Sequence, residues 1–323
     1  MKRKSIIITI IFLFVVALFA VFFAFKNYNK EENKTVNIVF TTDVNYKDYL
    51  RVALRSAIEN KKEDSIYNIN ILCVDLSEQD CNVYKKFNAK NVKINPMPVK
   101  LEFLKGIGEF EIEKKNITRA DLFKFFMPQL FPDLDKILYI DIDVVIKGDL
   151  RELYNIDLKN KYLGAVNKCI PFEYVKEWCN GRITRLVRYY RYNCGVMLYN
   201  LKQWRKDNIP LQLVVAKNED NDRELMTQNV FNQVMGQSKI VQLSPIYNTF
   251  INWDESMFNY CQFRKAFWKF SWNIKNSGEL FKKSVIIHYL GENKPWDYKE
   301  NQYSDLWWNY AKKEGFKYEE KNN

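Results

Sequence analysis

The feature that most restricts the fold is an alternation of short apolar runs with amphipathic segments from residue 36 onward. The runs Val36–Thr41 and Ile69–Leu76 have the length and composition of buried strands. Between them, residues 46–60 carry apolar side chains at helical spacing, namely Leu50, Ala53, Leu54, Ala57 and Ile58. This alternation predicts an α/β fold with a mostly parallel sheet covered on both faces. Such sheets bind ligands beyond the carboxyl ends of their strands.

The rest of the chain continues this alternation without an internal repeat or a second linker. Further strands are predicted at Val92–Pro96, Ile137–Ile146, Tyr162–Val166, Gly195–Tyr199, Ile240–Leu243 and Val285–Tyr289. Further helices are predicted from Ser77 to Asn88, from Thr118 to Pro128 or Pro132, at Glu224–Met235 and at Ser304–Lys313, with Leu306, Trp307 and Tyr310 facing inward. We therefore predict one Rossmann-like domain at residues 37–311, followed by a polar tail at residues 312–323.

The composition excludes several other classes of protein. The chain has 323 residues, of which 47% are hydrophobic and 28% charged, so it is neither disordered nor a disulfide-stapled miniprotein. No two of its 6 cysteines have CxxC spacing, which argues against a zinc ribbon or a redox motif. Its net charge of +11 comes without a nucleic-acid recognition motif, so no nucleic-acid partner is predicted.

The N-terminus has the pattern of a membrane anchor. A basic tail at residues 1–4 precedes an uncharged run from Ile6 to Phe25, and about 20 apolar residues suffice to cross a bilayer. The alternative is a signal peptide, but its apolar region is usually only about 7–15 residues long. We therefore predict a single-pass membrane protein with a transmembrane helix at residues 5–25 and a linker at residues 26–36. The density of Lys and Arg slightly favours a cytoplasmic N-terminus.

Two carboxylates interrupt the apolar segment Ile137–Ile146. Asp141 and Asp143 are two positions apart, so on a strand both side chains point to the same face. Two like charges repel and are costly to desolvate, and a divalent cation would offset both penalties. Carboxylate oxygens suit Mn²⁺ or Mg²⁺. The alternative is that the strand ends at Asp141 and that both acids are solvated loop residues.

The only histidine of the chain, His288, lies in the predicted strand Val285–Tyr289. It is either a packed, hydrogen-bonded residue or a metal ligand. Gly291 permits close approach of the backbone and Lys294 supplies a cation, so the loop after the strand would suit a diphosphate. The alternative for this loop is an ordinary turn with an exposed lysine.

The first predicted strand runs into a polar turn. Asp43 and Asn45 in this turn could hydrogen-bond the edges of a base or a ribose, or they could cap the helix that follows. The turn has neither a GxGxxG pattern nor a Walker sequence, so neither a dinucleotide dehydrogenase nor a P-loop NTPase is predicted.

Taken in order, several segments of the chain resemble glycosyltransferase family 8, a family of retaining enzymes. The segments are Asn37–Tyr46, Pro128 with Pro132–Asp143, Gly148–Leu150, Tyr192–Trp204, Pro245–Asn248 and His288–Trp296. Pro132–Asp143 resembles the family's run into its DxD motif, and Tyr192–Trp204 resembles its FNAGVLLINLKKW segment. The resemblance covers residues 37–311, nearly all of the chain after the N-terminal segment.

This resemblance implies a fold of the GT-A type and an enzyme that moves a hexose, glucose or galactose, from a UDP-sugar to a glycan or glycolipid acceptor. It implies that Asp141, Asp143 and His288 bind Mn²⁺ or Mg²⁺, which holds the diphosphate of the donor. The other site residues that it implies are Thr41, Asp43, Asn45 and Lys124 for the nucleotide sugar, Gly291 and Lys294 for the diphosphate, Asn193 near the transferred sugar or the acceptor, and Gln228 beside the anomeric carbon.

Several positions depart from the family's pattern. Thr227 and Asn229 flank Gln228 where the family commonly has Asp-Gln-Asp, and Lys168 stands where an Asp usually follows a Gly-Ala strand. In the family these carboxylates bind sugar hydroxyls, so the identity of the donor sugar is left open. Lys124 replaces an Arg and keeps the charge but not the bidentate geometry. These replacements motivate an alternative function, a catalytically silent, membrane-anchored module that binds a nucleotide sugar or a glycan.

Two basic stretches have open interpretations. Arg182, Arg185, Arg188 and Arg191 recur every third residue and would either receive an anionic acceptor or form a solvated helix face. Tyr260–Trp272 mixes aromatic and basic side chains and would either touch an anionic membrane or pack into the core with its lysines reaching solvent.

Overall fold

The structure, a computed structural model, describes residues 34–107, 119–168, 192–219, 227–251, 258–259, 274–297 and 303–317, together with positions 14 and 16. The strands are β1 (Thr35–Thr42), β2 (Ile66–Val74), β3 (Val92–Val99), β4 (Lys136–Ile140), β5 (Val144–Ile146), β6 (Leu163–Asn167), β7 (Tyr192–Asn200), β8 (Ile240–Gln242), β9 (Thr249–Phe250) and β10 (Ile286–His288).

The α-helices are α1 (Leu50–Glu59), α2 (Glu78–Asn82), α3 (Met127–Leu130), α4 (Arg151–Tyr154), α5 (Leu201–Lys206), α6 (Ile209–Asn218), α7 (Thr227–Met235), α8 (Ser277–Lys283) and α9 (Ser304–Lys313). Stretches of 3₁₀ helix lie at Val83–Phe87, Leu101–Leu104, Arg119–Phe126, Gln237–Lys239 and Pro245–Tyr247.

A seven-stranded sheet forms the centre of the fold, in the order β3-β2-β1-β4-β7-β6-β8. β7 runs antiparallel to both of its neighbours, β4 and β6. All the other neighbouring strands pair in parallel. The prediction of an α/β fold with a mostly parallel sheet is therefore confirmed.

The apolar segment Ile137–Ile146, predicted as one strand, is divided between two sheets. β4 ends at Ile140 in the large sheet, and β5 begins at Val144 in a small sheet of order β5-β10-β9. The prediction of a continuous strand is thus wrong. The two carboxylates lie in the break, where the chain leaves the packed centre of the large sheet and a charged side chain need not be surrounded by apolar ones.

Alternation along the strands divides the core into two layers. Ile38 and Phe40 of β1 face one layer together with α1, whereas Val39 faces the opposite layer together with α6 and α7. α1 buries the predicted apolar stripe but begins at Leu50, later than the pattern suggested. In α9, Trp307 is buried as predicted, and Trp308 and Ala311 are buried beside it, whereas Leu306 and Tyr310 are only partly buried.

The helix predicted before β4 is mostly 3₁₀ helix, at Arg119–Phe126, and becomes the short α3 at Met127. Pro128 has no N–H to donate back along the chain, so a continuous α-helix would leave the Lys124 carbonyl without its partner. The Tyr199 hydroxyl donates to that carbonyl instead, at 3.2 Å.

Within the described ranges, no helix is long and apolar enough to cross a bilayer. This finding corrects the prediction of a single-pass membrane protein. The segment at residues 5–25 on which that prediction depended lies outside the described residues except for positions 14 and 16, as do the arginine series within residues 182–191 and the stretch at residues 260–272.

Candidate functional site

Asp141, Asp143 and His288 converge where the two sheets meet. One oxygen of each carboxylate and one imidazole nitrogen all lie within 4.8 Å of one another. β10 runs antiparallel to β5 and sets His288 opposite Val144, next to Asp143 in the chain. The backbone N–H of Asp141 donates to the Gly195 carbonyl on β7, at 2.7 Å. Strand pairing in both sheets thus presents three atoms that could hold a metal ion.

Gly195 leaves the room that this convergence needs. A Cβ atom at this position would stand 2.2 Å from His288 Cε1 and 2.8 Å from Asp141 Oδ2. Both distances are too short for any van der Waals contact, so the imidazole packs directly on the backbone of β7. In the sequence, Gly195 was part of the motif Tyr192–Trp204, but no role was predicted for it. A glycine inside a strand pattern is the signal that would have marked a close approach here.

Lys294 and His288 flank the carboxylate of Asp143. Lys294 Nζ is 2.5 Å from Oδ2, and His288 Nε2 is 3.1 Å from Oδ1. Burial alone would raise the pKa of Asp143, but Lys294 and His288 outweigh it and hold the pKa well below its ordinary value. Lys294 is buried and also donates to the Tyr289 carbonyl at 2.8 Å, so it is not the exposed lysine of an ordinary turn.

Lys124 is buried beside Asp141. Its Nζ lies 3.0 Å from Asp141 Oδ1 and also pairs with Asp121. Burial alone would lower the pKa of Lys124, but Asp121 and Asp141 hold it well above its ordinary value, so Lys124 is charged. Burial raises the pKa of Asp141, Lys124 opposes this effect, and Asp143 adds to it. Asp141 is therefore a carboxylate whose charge is only partly compensated, and a further cation would stabilise it.

A chain of amide side chains joins His288 to Gln228. His288 Nδ1 lies 2.9 Å from Asn248 Oδ1, and Asn248 Nδ2 donates to Asn193 Oδ1 at 2.8 Å. Asn193 Nδ2 in turn donates to Gln228 Oε1 at 3.3 Å. Asn193 and Gln228 were named as site residues from the sequence, whereas Asn248 was part of a motif without a role. The amide chain connects the three-residue cluster to the start of α7.

The turn after β1 lies at the same edge of the large sheet. β1 and β4 are parallel neighbours in which Val39 lies opposite Tyr139. The same register, continued by two residues, sets Thr41 of β1 beside Asp141, which directly follows β4. Asp43 Oδ1 accepts the backbone N–H of Asn45 at 2.9 Å. This carboxylate therefore organises the turn itself. It does not cap the helix that follows, because α1 begins at Leu50 with Tyr49 at its N-cap and no side-chain hydrogen bond there, so the capping alternative is wrong for Asp43 and Asn45.

Tyr46 connects this turn to the cluster, and sequence analysis gave it no role. Burial raises the pKa of Tyr46 to about 12, and the negative charges of Asp43 and Asp143 add to this effect. Its ring also contacts Trp296 edge to face, with centroids 6.4 Å apart.

Gly291 has a φ of +93°, and a Cβ there would meet nothing within 4 Å. Its backbone conformation favours glycine, and the space beside it is open.

Known proteins resemble this chain in sequence. A family model described as "Glycosyl transferase family 8" matches residues 37–300. A Haemophilus influenzae protein named as a glycosyltransferase is 26% identical over 267 residues, which cover 82% of this chain and 74% of that protein. Glycosyltransferase GlyE of Streptococcus pneumoniae is 25% identical over 285 residues, which cover 85% of this chain and 60% of GlyE.

Solved structures share the fold. The galactosyltransferase LgtC, in complex with donor and acceptor sugar analogues, superposes with a TM-score of 0.64 at 21% identity, covering 86% of this chain and 96% of LgtC. The bifunctional glycosyltransferase WbbM superposes with a TM-score of 0.66 at 21% identity, covering 86% of this chain and 50% of WbbM. At this level of identity the likeness concerns the fold.

Proposed function

The chain belongs to glycosyltransferase family 8 and is a glycosyltransferase, and from that premise we propose that it is a metal-dependent, retaining enzyme that uses a UDP-hexose. The proposed sugar is glucose or galactose, and the proposed acceptor is a glycan or glycolipid. The observation that carries the proposal is the convergence of Asp141, Asp143 and His288 on one point. Two carboxylates and an imidazole are a ligand set that suits Mn²⁺, with Mg²⁺ as the alternative.

The electrostatics of the three ligands also fit a divalent cation. The pKa of Asp141 is raised by burial in spite of the opposing effect of Lys124. The negative charge of this carboxylate is therefore only partly compensated. When bound, the ion would offset the negative charge that develops on the diphosphate leaving group. Asp143 is ionised at neutral pH because its pKa is lowered, so it is ready to act as a ligand.

Lys294 and the loop that contains it would receive the diphosphate. The ammonium group of Lys294 is held in place by Asp143 and by the Tyr289 carbonyl, so little reorganisation is needed when charge develops nearby. The open space beside Gly291 leaves the loop backbone accessible to phosphate oxygens. The turn with Thr41, Asp43 and Asn45 would bind the uridine.

Gln228 would lie beside the anomeric carbon, with Asn193 next to it. Its Oε1 already accepts a hydrogen bond from Asn193 Nδ2, and a neutral amide oxygen is a weak nucleophile. We therefore favour a front-face displacement over a double displacement. The bond from the anomeric carbon to the phosphate oxygen breaks, the acceptor oxygen bonds to the same face, and the leaving phosphate takes the acceptor's proton.

The test is UDP release by the full chain from UDP-glucose, UDP-galactose and UDP-N-acetylglucosamine, with Mn²⁺ and with EDTA. Asp143→Ala is compared with Asp133→Ala, which changes an exposed aspartate before β4. We expect release from one donor that requires Mn²⁺, is lost in Asp143→Ala and is retained in Asp133→Ala. Metal-dependent turnover by Asp143→Ala would contradict the site assignment.

A second outcome of the same experiment would favour a silent binding module. Thr227 and Asn229 replace acidic residues of the family's pattern, and Thr227 is fully buried at the start of α7. If UDP binding, measured alongside release, requires Mn²⁺ but none of the three donors is turned over, the silent module is favoured.

A further inference from the structure

The buried amide pair Asn193 and Asn248 controls how His288 faces the acidic cluster. We propose that this pair fixes the tautomer of His288, so that Nδ1 carries the proton and Nε2 presents its lone pair towards Asp143. Asn193 and Asn248 are then positioning residues for a metal ligand. The inference rests on the proposed function in that it takes His288 as a ligand.

The backbone N–H of Gly195 anchors the argument because it can only donate. It lies 2.9 Å from an atom of the Asn193 side chain, which must therefore be the amide oxygen, Oδ1. An atom of the Asn248 side chain lies 2.8 Å from the same oxygen and must therefore be the amide nitrogen, Nδ2. The orientation of both amides thus follows from one backbone group.

The orientation of Asn248 then determines the proton on the imidazole. With Nδ2 directed at Asn193, Asn248 presents its oxygen to His288 Nδ1, at 2.9 Å. An oxygen acceptor at this distance requires a proton on Nδ1. Asn193, Asn248 and His288 are 5%, 0% and 1% exposed, so water does not readily replace these partners.

Asp143 favours the opposite tautomer, with the proton on Nε2. The amide pair is therefore needed to keep the proton on Nδ1. His288 Nε2 is 3.1 Å from Asp143 Oδ1, a longer contact than the one at Nδ1, and Lys294 already donates to the other oxygen of this carboxylate, which weakens it as an acceptor. Without Asn248, the neutral ring would place its single proton on Nε2 and donate it to Asp143. That proton would occupy the direction from which His288 must bind a metal ion.

The first test reads the tautomer directly in the metal-free protein. The chain has one histidine, so ¹⁵N-histidine labelling gives the spectrum of His288 alone. Spectra are recorded above the end of the ring's own titration, for the wild type and for Asn248→Leu. We expect the neutral wild-type ring to carry its proton on Nδ1 and the variant ring to carry it on Nε2. A wild-type ring protonated on Nε2 would overturn the inference.

The second test measures Mn²⁺ affinity in matched variants at Asn193. Asn193→Asp keeps an oxygen that can accept from both Gly195 and Asn248, whereas Asn193→Leu removes it and frees Asn248 to turn. We expect Asn193→Leu and Asn248→Leu to lower Mn²⁺ affinity about 10–100-fold, the usual effect of losing the partner of a metal-binding histidine. Asn193→Asp should not lower it. Equal losses in Asn193→Asp and Asn193→Leu would contradict the assigned role.

The two tests separate this inference from the proposed function. A wild type with the proton on Nδ1 that binds no Mn²⁺ would retain the tautomer assignment and refute the metal site. A wild type that binds Mn²⁺ but carries the neutral ring's proton on Nε2 would support the metal site and refute the tautomer assignment. The spectrum of the wild type requires no substitution, so poor folding of a variant does not affect it.

Discussion

The imidazole of His288 occupies the space that a side chain on Gly195 would need, since a Cβ there would stand 2.2 Å from Cε1. The same glycine donates its N–H to Asn193 Oδ1 and accepts the N–H of Asp141 with its carbonyl. A single residue of β7 thus supports both the carboxylate and the imidazole of the cluster.

Gly195→Ala should therefore displace His288 and weaken metal binding. Overpacking of this kind costs about 1–3 kcal/mol of folding free energy, which the domain should tolerate. We expect Mn²⁺ affinity to fall at least about 10-fold, since one of the three proposed ligands leaves its position. Mn²⁺ titration measures this, and Gly148→Ala is the control because its Cβ would lie 3.6 Å from Val285, an ordinary contact. Unchanged affinity in Gly195→Ala would show that His288 is not a ligand.

Lys294→Met should separate metal binding from turnover. Lys294 Nζ is 2.5 Å from Asp143 Oδ2, so its charge competes with a cation for the same carboxylate. Removing that charge should raise Mn²⁺ affinity by roughly 10-fold. UDP release should fall about 10²-fold or more, because the donor that we propose for the leaving diphosphate is lost.

The control for Lys294→Met is Lys282→Met, which changes an exposed lysine of α8. It should alter neither Mn²⁺ affinity nor UDP release. If Lys294→Met lost affinity and turnover together, Lys294 would be needed mainly to hold Asp143 in place.

Lys124→Met should destabilise the fold. Lys124 is buried between Asp121 and Asp141, and breaking a buried pair by removing one partner typically costs about 3–5 kcal/mol. Lys124→Arg keeps the charge and should cost clearly less. Urea unfolding of the three proteins measures the difference. Equal stability of Lys124→Met and the wild type would mean that the two carboxylates do not depend on this lysine for compensation.

Local patterns predicted much of the fold. The alternation of β1 and β2 and the helical spacing of α1 are properties of short segments, and all three elements form at those places. The N-cap predicted at Ser77 is also present, since its hydroxyl accepts the backbone N–H of Asp80 at 3.0 Å. Capping and periodicity depend on neighbours in sequence, which is why they can be predicted without the tertiary structure.

The parts that could not be predicted depend on long-range pairing. Nothing local in Ile137–Ile146 indicates that β5 leaves the large sheet to pair with β10, yet this break brings Asp143 to His288. Asn248 and Gly195 acquire their contacts from residues that are distant in sequence, and a motif names such residues without giving them a role. The sequence thus indicated most members of the cluster but not the packing and hydrogen bonds that orient them.

Glu314, directly after α9, forms ion pairs with Arg51 and Arg55 of α1. Its carboxylate is 2.5 Å from Arg55 Nη2, 2.9 Å from Lys86 Nζ and 3.3 Å from Arg51 Nε, with only 1% of the side chain exposed. Burial alone would raise the pKa of Glu314, but Lys86 and Arg55 outweigh it and hold the pKa below its ordinary value. The ionised form is therefore favoured more in the folded than in the unfolded chain.

Glu314→Gln should accordingly lower the free energy of unfolding at neutral pH by about 1–3 kcal/mol, the usual value of hydrogen bonds to a charged group. Because the folded-state pKa is depressed, the stabilisation is fully present above the unfolded-state pKa of about 4.3 and is lost as pH falls through the folded-state pKa. Urea unfolding of both proteins at descending pH should show the difference shrinking. Glu152→Gln, at an exposed ion pair with Lys62, should stay within about 0.5 kcal/mol of the wild type throughout. A difference for Glu314→Gln that stayed constant into acid would mean that packing, rather than the charge, holds α9 against α1.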